Sequence, residues 1–345
     1  MIKDYSISFT RMVAFLFIIA CHLLQHFFQS NLAWVFNVGV QMFLVISGYL
    51  YGGRERFLSI TGEPIGFLKK CTSKIMKKYL SYLIVLMALL TITQSGGNSF
   101  LEFLQWLIFR EPIHGYGHNW YIPYILMCYF LTPIILLYLW SKDDHSFRRL
   151  ILLILSIELI FDCFIYYFNP AWVNCYIIGL YLGKNEFIKK YDRKTVWIKS
   201  TIVLSALVVN AVRFIVKLKG IEFQGSYDLI YQRLTNYSHL LLGCGVFIIC
   251  TWFYKALTNL KISATTRSKT RNFLNQSDKY SFDIFLVHPF FISGALAITQ
   301  WIVNKYVASF IAILASIITA ILFHYFDKKI WLAIELLKIK ILKRT

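Results

Sequence analysis

Apolar blocks, each about as long as a membrane span, repeat from Tyr5 to Phe326 with short polar stretches between them. They fill whole segments and do not keep the i, i+3, i+4 spacing of a surface helix, so the pattern predicts helices that are hydrophobic all round. Ten spans can be drawn, at roughly 7–29, 34–53, 76–95, 119–140, 149–167, 171–184, 196–216, 236–257, 280–302 and 306–326. A bilayer core takes about 20 helical residues to cross. The sixth span is shorter than that and is expected to tilt or partly re-enter. Phe100 to Phe109 is apolar but too short to cross, which predicts a segment lying in the interface. The expected fold class is all-α: a polytopic transmembrane bundle forming a single membrane domain over residues 1–345.

Composition agrees with this pattern. The chain is 58% hydrophobic and 18% aromatic but only 15% charged, where soluble domains carry about 25%. The first segment starts within a few residues of Met1 and has no small-residue cleavage site, so it reads as a retained helix. The formal net charge of +19 raises the question of nucleic acid. The positions of the cations point instead to the positive-inside rule, with no nucleic-acid partner. With ten spans and an inner N-terminus, 29 of the 36 Lys and Arg fall on the inner side. Five (Arg110, Lys217, Lys219, Arg233 and Lys305) fall outside, and Arg11 and Arg213 lie within spans. Both termini are therefore expected in the cytoplasm. The seven cysteines form no C-x-x-C pair, are odd in number and lie mostly in apolar segments, so they read as packing residues and no metal site is expected.

Polar residues inside apolar spans carry the candidate chemistry, because an ionisable group in the membrane is a functional candidate by default. Arg11 and His22 are eleven residues apart in the first span. Eleven helical steps return the side chains to within roughly 20° of one face and separate them by about 16 Å along the axis. With the N-terminus inside, Arg11 lies toward the cytoplasm and His22 deeper. Arginine binds phosphate well, and histidine can take a proton from a hydroxyl. The plainer alternative is that Arg11 snorkels to headgroups while His22 bonds another helix. His26 is one turn beyond His22 on the same face.

Glu158 and Asp162 share a face of the fifth span. They could orient a histidine, bind a sugar hydroxyl, or form a structural ion pair with Arg213. Asp283 and His288 lie in the ninth span five residues apart, too far round the helix for an obvious dyad, and Pro289 frees a backbone carbonyl there. His239 and His324 near helix ends read as structural. The longer outer segments hold Gly96-Gly97-Asn98 and His114-Gly115-Tyr116-Gly117-His118-Asn119-Trp120. Such loops suit a polar ligand such as a sugar, although Trp and Tyr also gather at headgroups. No Walker loop, G-x-S-x-G, H-E-x-x-H or dinucleotide fingerprint occurs, which argues against a primary pump.

Five segments together resemble the integral membrane acyltransferase 3 family. They are Arg11-(x10)-His22; Gly39 through Ser47-Gly48-Tyr-Leu50; Lys74-Ile-Met-Lys77-Lys78-Tyr79; His118-Asn-Trp120-Tyr-Ile-Pro-Tyr124 with Pro133; and Tyr280-Ser281 through His288. Phe285 stands where the family usually has Tyr, and several cations in the Arg54–Lys78 stretch are Lys where Arg is usual. The resemblance implies about ten helices. It also implies transfer of an acyl group, acetyl or in some members succinyl, from cytoplasmic acyl-CoA to a hydroxyl of a glycan or lipid-linked sugar. It makes His22 the catalytic residue; beside it, Glu158, Asp162, His118 and His288 are read as further candidates for the same cavity. Arg11, Arg54 and Lys74 would bind the acetyl-CoA donor, and His118 and Trp120 the carbohydrate. The expected location is the plasma membrane, with the lipid bilayer, acyl-CoA and a surface glycan as partners. Two other classes stay open: a polysaccharide exporter or flippase, weakened by the lack of an evident internal repeat, and a membrane sensor or scaffold.

Overall fold

A computed structural model describes residues 3–93, 100–109, 116–141, 145–164, 169–221, 223–260 and 263–342. Gly96, Gly97, Asn98, Arg110, His114 and Gly115, which the sequence puts in outer loops, lie outside the described residues. Every regular element among the described residues is helical. In order these are α1 (Tyr5–His26), α2 (Ala33–Phe36), α3 (Gly39–Gly52), α4 (Arg54–Gly62), α5 (Pro64–Ile92), α6 (Phe100–Leu107), a 3-10 turn (Gly117–Trp120) and α7 (Tyr121–Leu139). There follow α8 (Ser146–Phe164), α9 (Pro170–Lys184), α10 (Arg193–Leu218), α11 (Ser226–Asn259), α12 (Ala264–Val287), α13 (Pro289–Ile292), a 3-10 turn (Ile298–Gln300) and α14 (Lys305–Leu342).

Several of these helices start at side-chain caps that the sequence supplies. The Asp4 carboxylate accepts the Ser6 N–H at 2.9 Å and starts α1. Asn169 accepts from Ala171 with Pro170 in the first turn of α9. Asp192 accepts the Thr195 N–H at 3.0 Å at the head of α10, and Thr195 holds that carboxyl below its ordinary range. Each cap satisfies a donor that the first helical turn leaves unpaired.

Among the described residues, seven helical segments are long and apolar enough to cross a membrane: Tyr5–His26, Ala33–Gly52, Pro64–Ile92, Gly117–Leu139, Arg193–Leu218, Tyr227–Asn259 and Lys305–Ile341. Three of the ten predicted spans take other forms. The fifth is α8, whose 19 residues carry Arg148, Arg149, Glu158 and Asp162. The sixth is α9, only 15 residues, or about 22 Å of helix, against a hydrocarbon core of about 30 Å. The ninth is not continuous. The chain leaves α12 at Val287, passes His288, restarts at Pro289 and turns again after Ile292. Proline there removes one helical donor and clashes with the preceding turn. The tenth is longer than predicted: α14 has 38 residues, about 57 Å, and continues well beyond residue 326.

The chain forms two compact units, each discontinuous in sequence. The first comprises residues 1–18, 34–68 and 127–275, and the second residues 19–33, 69–126 and 276–345. The first unit is built on the pairing of α3 with α9. Gly48 and Gly52 on α3 face the backbone of α9, and Gly179 and Gly183 on α9 face that of α3. A Cβ at Gly48 would strike the Tyr176 carbonyl, and one at Gly52 that of Leu180. One at Gly179 would strike the Val45 carbonyl, and one at Gly183 that of Tyr49. Two small-x-x-x-small faces thus let the backbones touch, which maximises dispersion contact where water supplies no driving force. Ala14, Val38, Met42, Ala206, Leu242 and Cys250 form a buried cluster in the same unit.

In the second unit, Tyr79 and Tyr82 of α5 are buried, and the Tyr79 hydroxyl donates to the Trp106 carbonyl of α6 at 2.9 Å. That bond ties down the short α6. Its exposed Leu101 and buried Trp106 give it the two faces expected of an interfacial helix.

Gly179→Leu is expected to lower the apparent melting temperature in detergent by about 5 °C or more, since the added carbons must force two backbones apart. Gly53→Ala is the control, because a Cβ there meets nothing within 4 Å. Its melting curve is expected to overlay that of the wild type.

Candidate active site

Three histidines converge in the second unit. His22 lies on α1, partly exposed, with its ring 6.0 Å from that of His26 one turn later. The His288 ring is 5.2 Å from His22 and 5.3 Å from His118. His288 is fully buried and His118 nearly so. Local sequence explains how each arrives. His22 is carried by an α1 without proline or glycine from Tyr5 to His26. His118 sits in the 3-10 turn that leads into α7. His288 occupies the break before Pro289. Around them Tyr82 stacks on Phe290 at 5.7 Å, and Phe285 meets His118 edge-on at 5.2 Å. The result is a small group of titratable rings in an aromatic wall, with one member accessible. Trp120 packs edge-on against Tyr124 at 5.4 Å. Arg11 is partly buried on the same continuous α1 as His22, eleven residues earlier.

A second polar assembly in this unit joins α5, α12 and α14. Asp283 is fully buried. One of its oxygens pairs with Lys78 and the other lies 2.8 Å from Nδ1 of His324. One turn along, the Ser81 hydroxyl donates to Asp327 at 2.8 Å and accepts from the Trp331 indole at 3.1 Å. Beside these groups is an open pocket of about 380 Å³ that includes Lys74, Lys77, Lys78, Lys328 and Trp331 in its lining. Its lining also holds Asp327 and Glu335; with Lys78 paired to Asp283 and Lys77 3.7 Å from Glu335, Lys74 and Lys328 leave the pocket a positive balance that suits an anion. Lys74 is therefore in a basic pocket. Arg54 stands exposed at the start of α4 in the first unit.

Glu158 and Asp162 belong to the first unit, and both are engaged. Arg233 grips Asp162 with two nitrogens, each 2.8 Å from a different carboxylate oxygen. Glu158 takes the Tyr237 hydroxyl, and Asn174 donates to that same hydroxyl at 2.9 Å. The cation beside the two carboxylates is thus Arg233 and not Arg213. Arg213 instead lies 4.1 Å over the Trp34 ring and donates to the Thr235 carbonyl at 2.9 Å and to the Ser238 hydroxyl. His239 completes that cluster, 4.6 Å from Trp34.

Helical spacing alone reveals the His22–His26 neighbours and the Glu158–Asp162 face. It does not reveal Lys78–Asp283–His324, whose members lie on three helices. One signal was present: a lone carboxylate in the apolar run Tyr280 to His288 requires a cation. Nothing in the spacing says which one. Among the described residues, no three or more His, Cys, Asp or Glu side chains form a group able to hold a metal ion.

The two ion-paired sites should differ in energetic weight. Removing one member of a buried pair strands the other, at about 3 kcal/mol or more, whereas an exposed pair contributes under about 1 kcal/mol. Asp283→Asn is therefore expected to destabilise strongly in thermal unfolding, and Lys78→Met added to it should restore part of the loss. Asp162→Asn, whose side chain is 41% exposed, is expected to have a small effect in the same measurement.

The model for the acyltransferase domain of the acyltransferase 3 family matches residues 4–326. Neither the curated proteins nor the solved structures include a significant match to the chain.

Proposed function

This chain belongs to the acyltransferase 3 family and is a multi-pass membrane acyltransferase, and from that premise we propose that it moves an acetyl group from acetyl-CoA to a hydroxyl of a cell-surface or lipid-linked carbohydrate. The observation that carries this reading is His22, a partly exposed imidazole whose neighbours are the rings of His26 and the buried His288. A hydroxyl is a poor nucleophile near neutral pH, and a positioned base accelerates its attack by roughly 10²–10⁴. In the reaction the hydroxyl proton passes to a ring nitrogen of His22 as the oxygen attacks the thioester carbonyl. The new C–O bond forms, the C–S bond breaks, and the departing CoA thiolate takes the proton back from His22. A histidine that is itself acylated first gives the same products in two steps.

Acetyl-CoA is a cytoplasmic, multiply phosphorylated molecule, and the basic residues supply its counter-charges. Arg11, on the His22 helix, is assigned to a donor phosphate. Lys74 and its pocket partners Lys77 and Lys328 act as point charges for phosphate. His118 and Trp120 are assigned to the acceptor side, where aromatic faces suit sugar rings. The charge bias over the ten drawn spans supports cytoplasmic termini, and the assigned location is the plasma membrane, where cytoplasmic acetyl-CoA and a surface glycan are both within reach.

The test is transfer of label from acetyl-CoA to cell-envelope glycan by purified protein. His22→Ala is expected to lower kcat at least about 10²-fold, and Arg11→Ala or Lys74→Ala to raise the KM for acetyl-CoA several-fold. Undiminished transfer by folded His22→Ala would remove His22 from the chemistry. Glycan translocation into vesicles without any label transfer would instead favour an exporter.

A further inference from the structure

The ring of His288 is held in one tautomer by its own chain. Pro289 has no N–H, so the Phe285 carbonyl four residues earlier lacks its ordinary helical donor. Nδ1 of His288 lies 2.9 Å from that carbonyl and 3.1 Å from the carbonyl of Ile284. Carbonyl oxygens only accept, so Nδ1 bears the hydrogen and, in the neutral ring, Nε2 keeps its lone pair. Nε2 is buried and has no hydrogen-bond partner among the described residues. Both ring nitrogens of the neighbouring His118 are likewise buried without a partner, so the group holds donor and acceptor capacity that the described residues do not use, and a buried acceptor without a donor is disfavoured.

The neighbours of that ring point to the role. Two imidazoles joined by an N–H···N bond of about 2.9 Å have centroids about 5 Å apart. His22 is already at that separation, 5.2 Å, with its ring tilted by 40°. His22 is partly exposed. His118 is at a similar distance but only 6% exposed, and it is wedged edge-on against Phe285 and Tyr82. Asp283, five residues earlier, is taken by Lys78 and His324.

We propose that His288 is a positioning residue: its Nε2 accepts the ring N–H of His22 and so leaves the other nitrogen of His22 bare toward the acceptor hydroxyl. The inference rests on the reading of His22 as the base. It assigns to a neutral imidazole the orienting task that a carboxylate performs in hydrolytic triads. A neutral partner fixes the tautomer without adding a buried charge. When His22 takes the hydroxyl proton, the same N–H···N bond becomes charge-assisted and strengthens, and the proton then leaves on the thiolate.

Two near-isosteric variants separate this role from that of a helix cap. Asparagine can keep a donor at the Nδ1 position for the Phe285 carbonyl but has no atom at Nε2. Glutamine reaches the Nε2 position with an amide oxygen that accepts. With labelled acetyl-CoA and envelope glycan, His288→Asn is expected to lower kcat about 10²-fold with the KM for acetyl-CoA unchanged. His288→Gln is expected to retain at least ten times the kcat of His288→Asn. Wild-type kcat in His288→Asn, or equal loss in the two variants, would overturn the proposal. His22→Ala runs alongside: if that variant is active, the base reading itself fails, whereas an inactive His22→Ala beside a fully active His288→Asn defeats only the positioning role. If a variant does not fold, ¹⁵N-histidine NMR of the wild-type protein decides the matter. The proposal requires the Nδ1–H tautomer at His288, and an Nε2–H signal refutes it.

Discussion

A polar group inside hydrocarbon has no water to bond, so each must find its partner within the protein. Most of the chemistry-bearing structure of this chain follows from that constraint. Asp283 holds Lys78 and His324. Glu158 takes Tyr237, while Asp162 takes Arg233. Arg213 spreads its guanidinium over Trp34 and donates to Thr235 and Ser238. Even the carbonyl released by Pro289 is answered, by the ring of the residue just before it. Among the described residues, the histidine group keeps buried nitrogens without a hydrogen-bond partner: Nε2 of His288 and both ring nitrogens of His118.

The same scarcity of solvent shapes the packing. Burying apolar surface gains little between two helices already surrounded by lipid tails, so close contact and dispersion do more of the work. In the first unit the four glycines of α3 and α9 bring backbone against backbone. The short α9, which does not reach across a bilayer by its own length, is held by that contact and carries Asn174 to the Tyr237 hydroxyl. In the second unit rings fill the space instead, with Tyr82, Phe285 and Phe290 around His118 and His288.

Much of the fold was legible in the sequence because spanning length and hydropathy are local properties. Seven of the ten drawn spans correspond to helices able to cross a membrane. The other three fall short of that length or composition for local reasons, one of which, the shortness of the sixth, was itself expected: four charges in α8, fifteen residues in α9, and a proline after α12. The candidate site was legible in part. His22, His118 and His288 were each singled out by residue type and by a polar position within an apolar or aromatic run. Their meeting could not be read, since they are separated by 96 and 170 residues of chain and no periodicity links them. The choice of Arg213 as partner for Glu158 and Asp162 missed Arg233 because both arginines satisfy the same charge argument.

By itself, then, the sequence determined which segments are helical, most of those apolar enough to cross a membrane, and that its polar residues there would need partners. Those outcomes depend on free energies summed over neighbours a few positions apart. Only the tertiary structure decided which partner each polar group received: Lys78 for Asp283, Arg233 for Asp162, His22 and His118 beside His288. Several cations and rings could have met each demand equally well in charge and size. The selection was made by distances of a few ångströms between helices distant in sequence, and those are set by how glycines and aromatic rings let the helices approach.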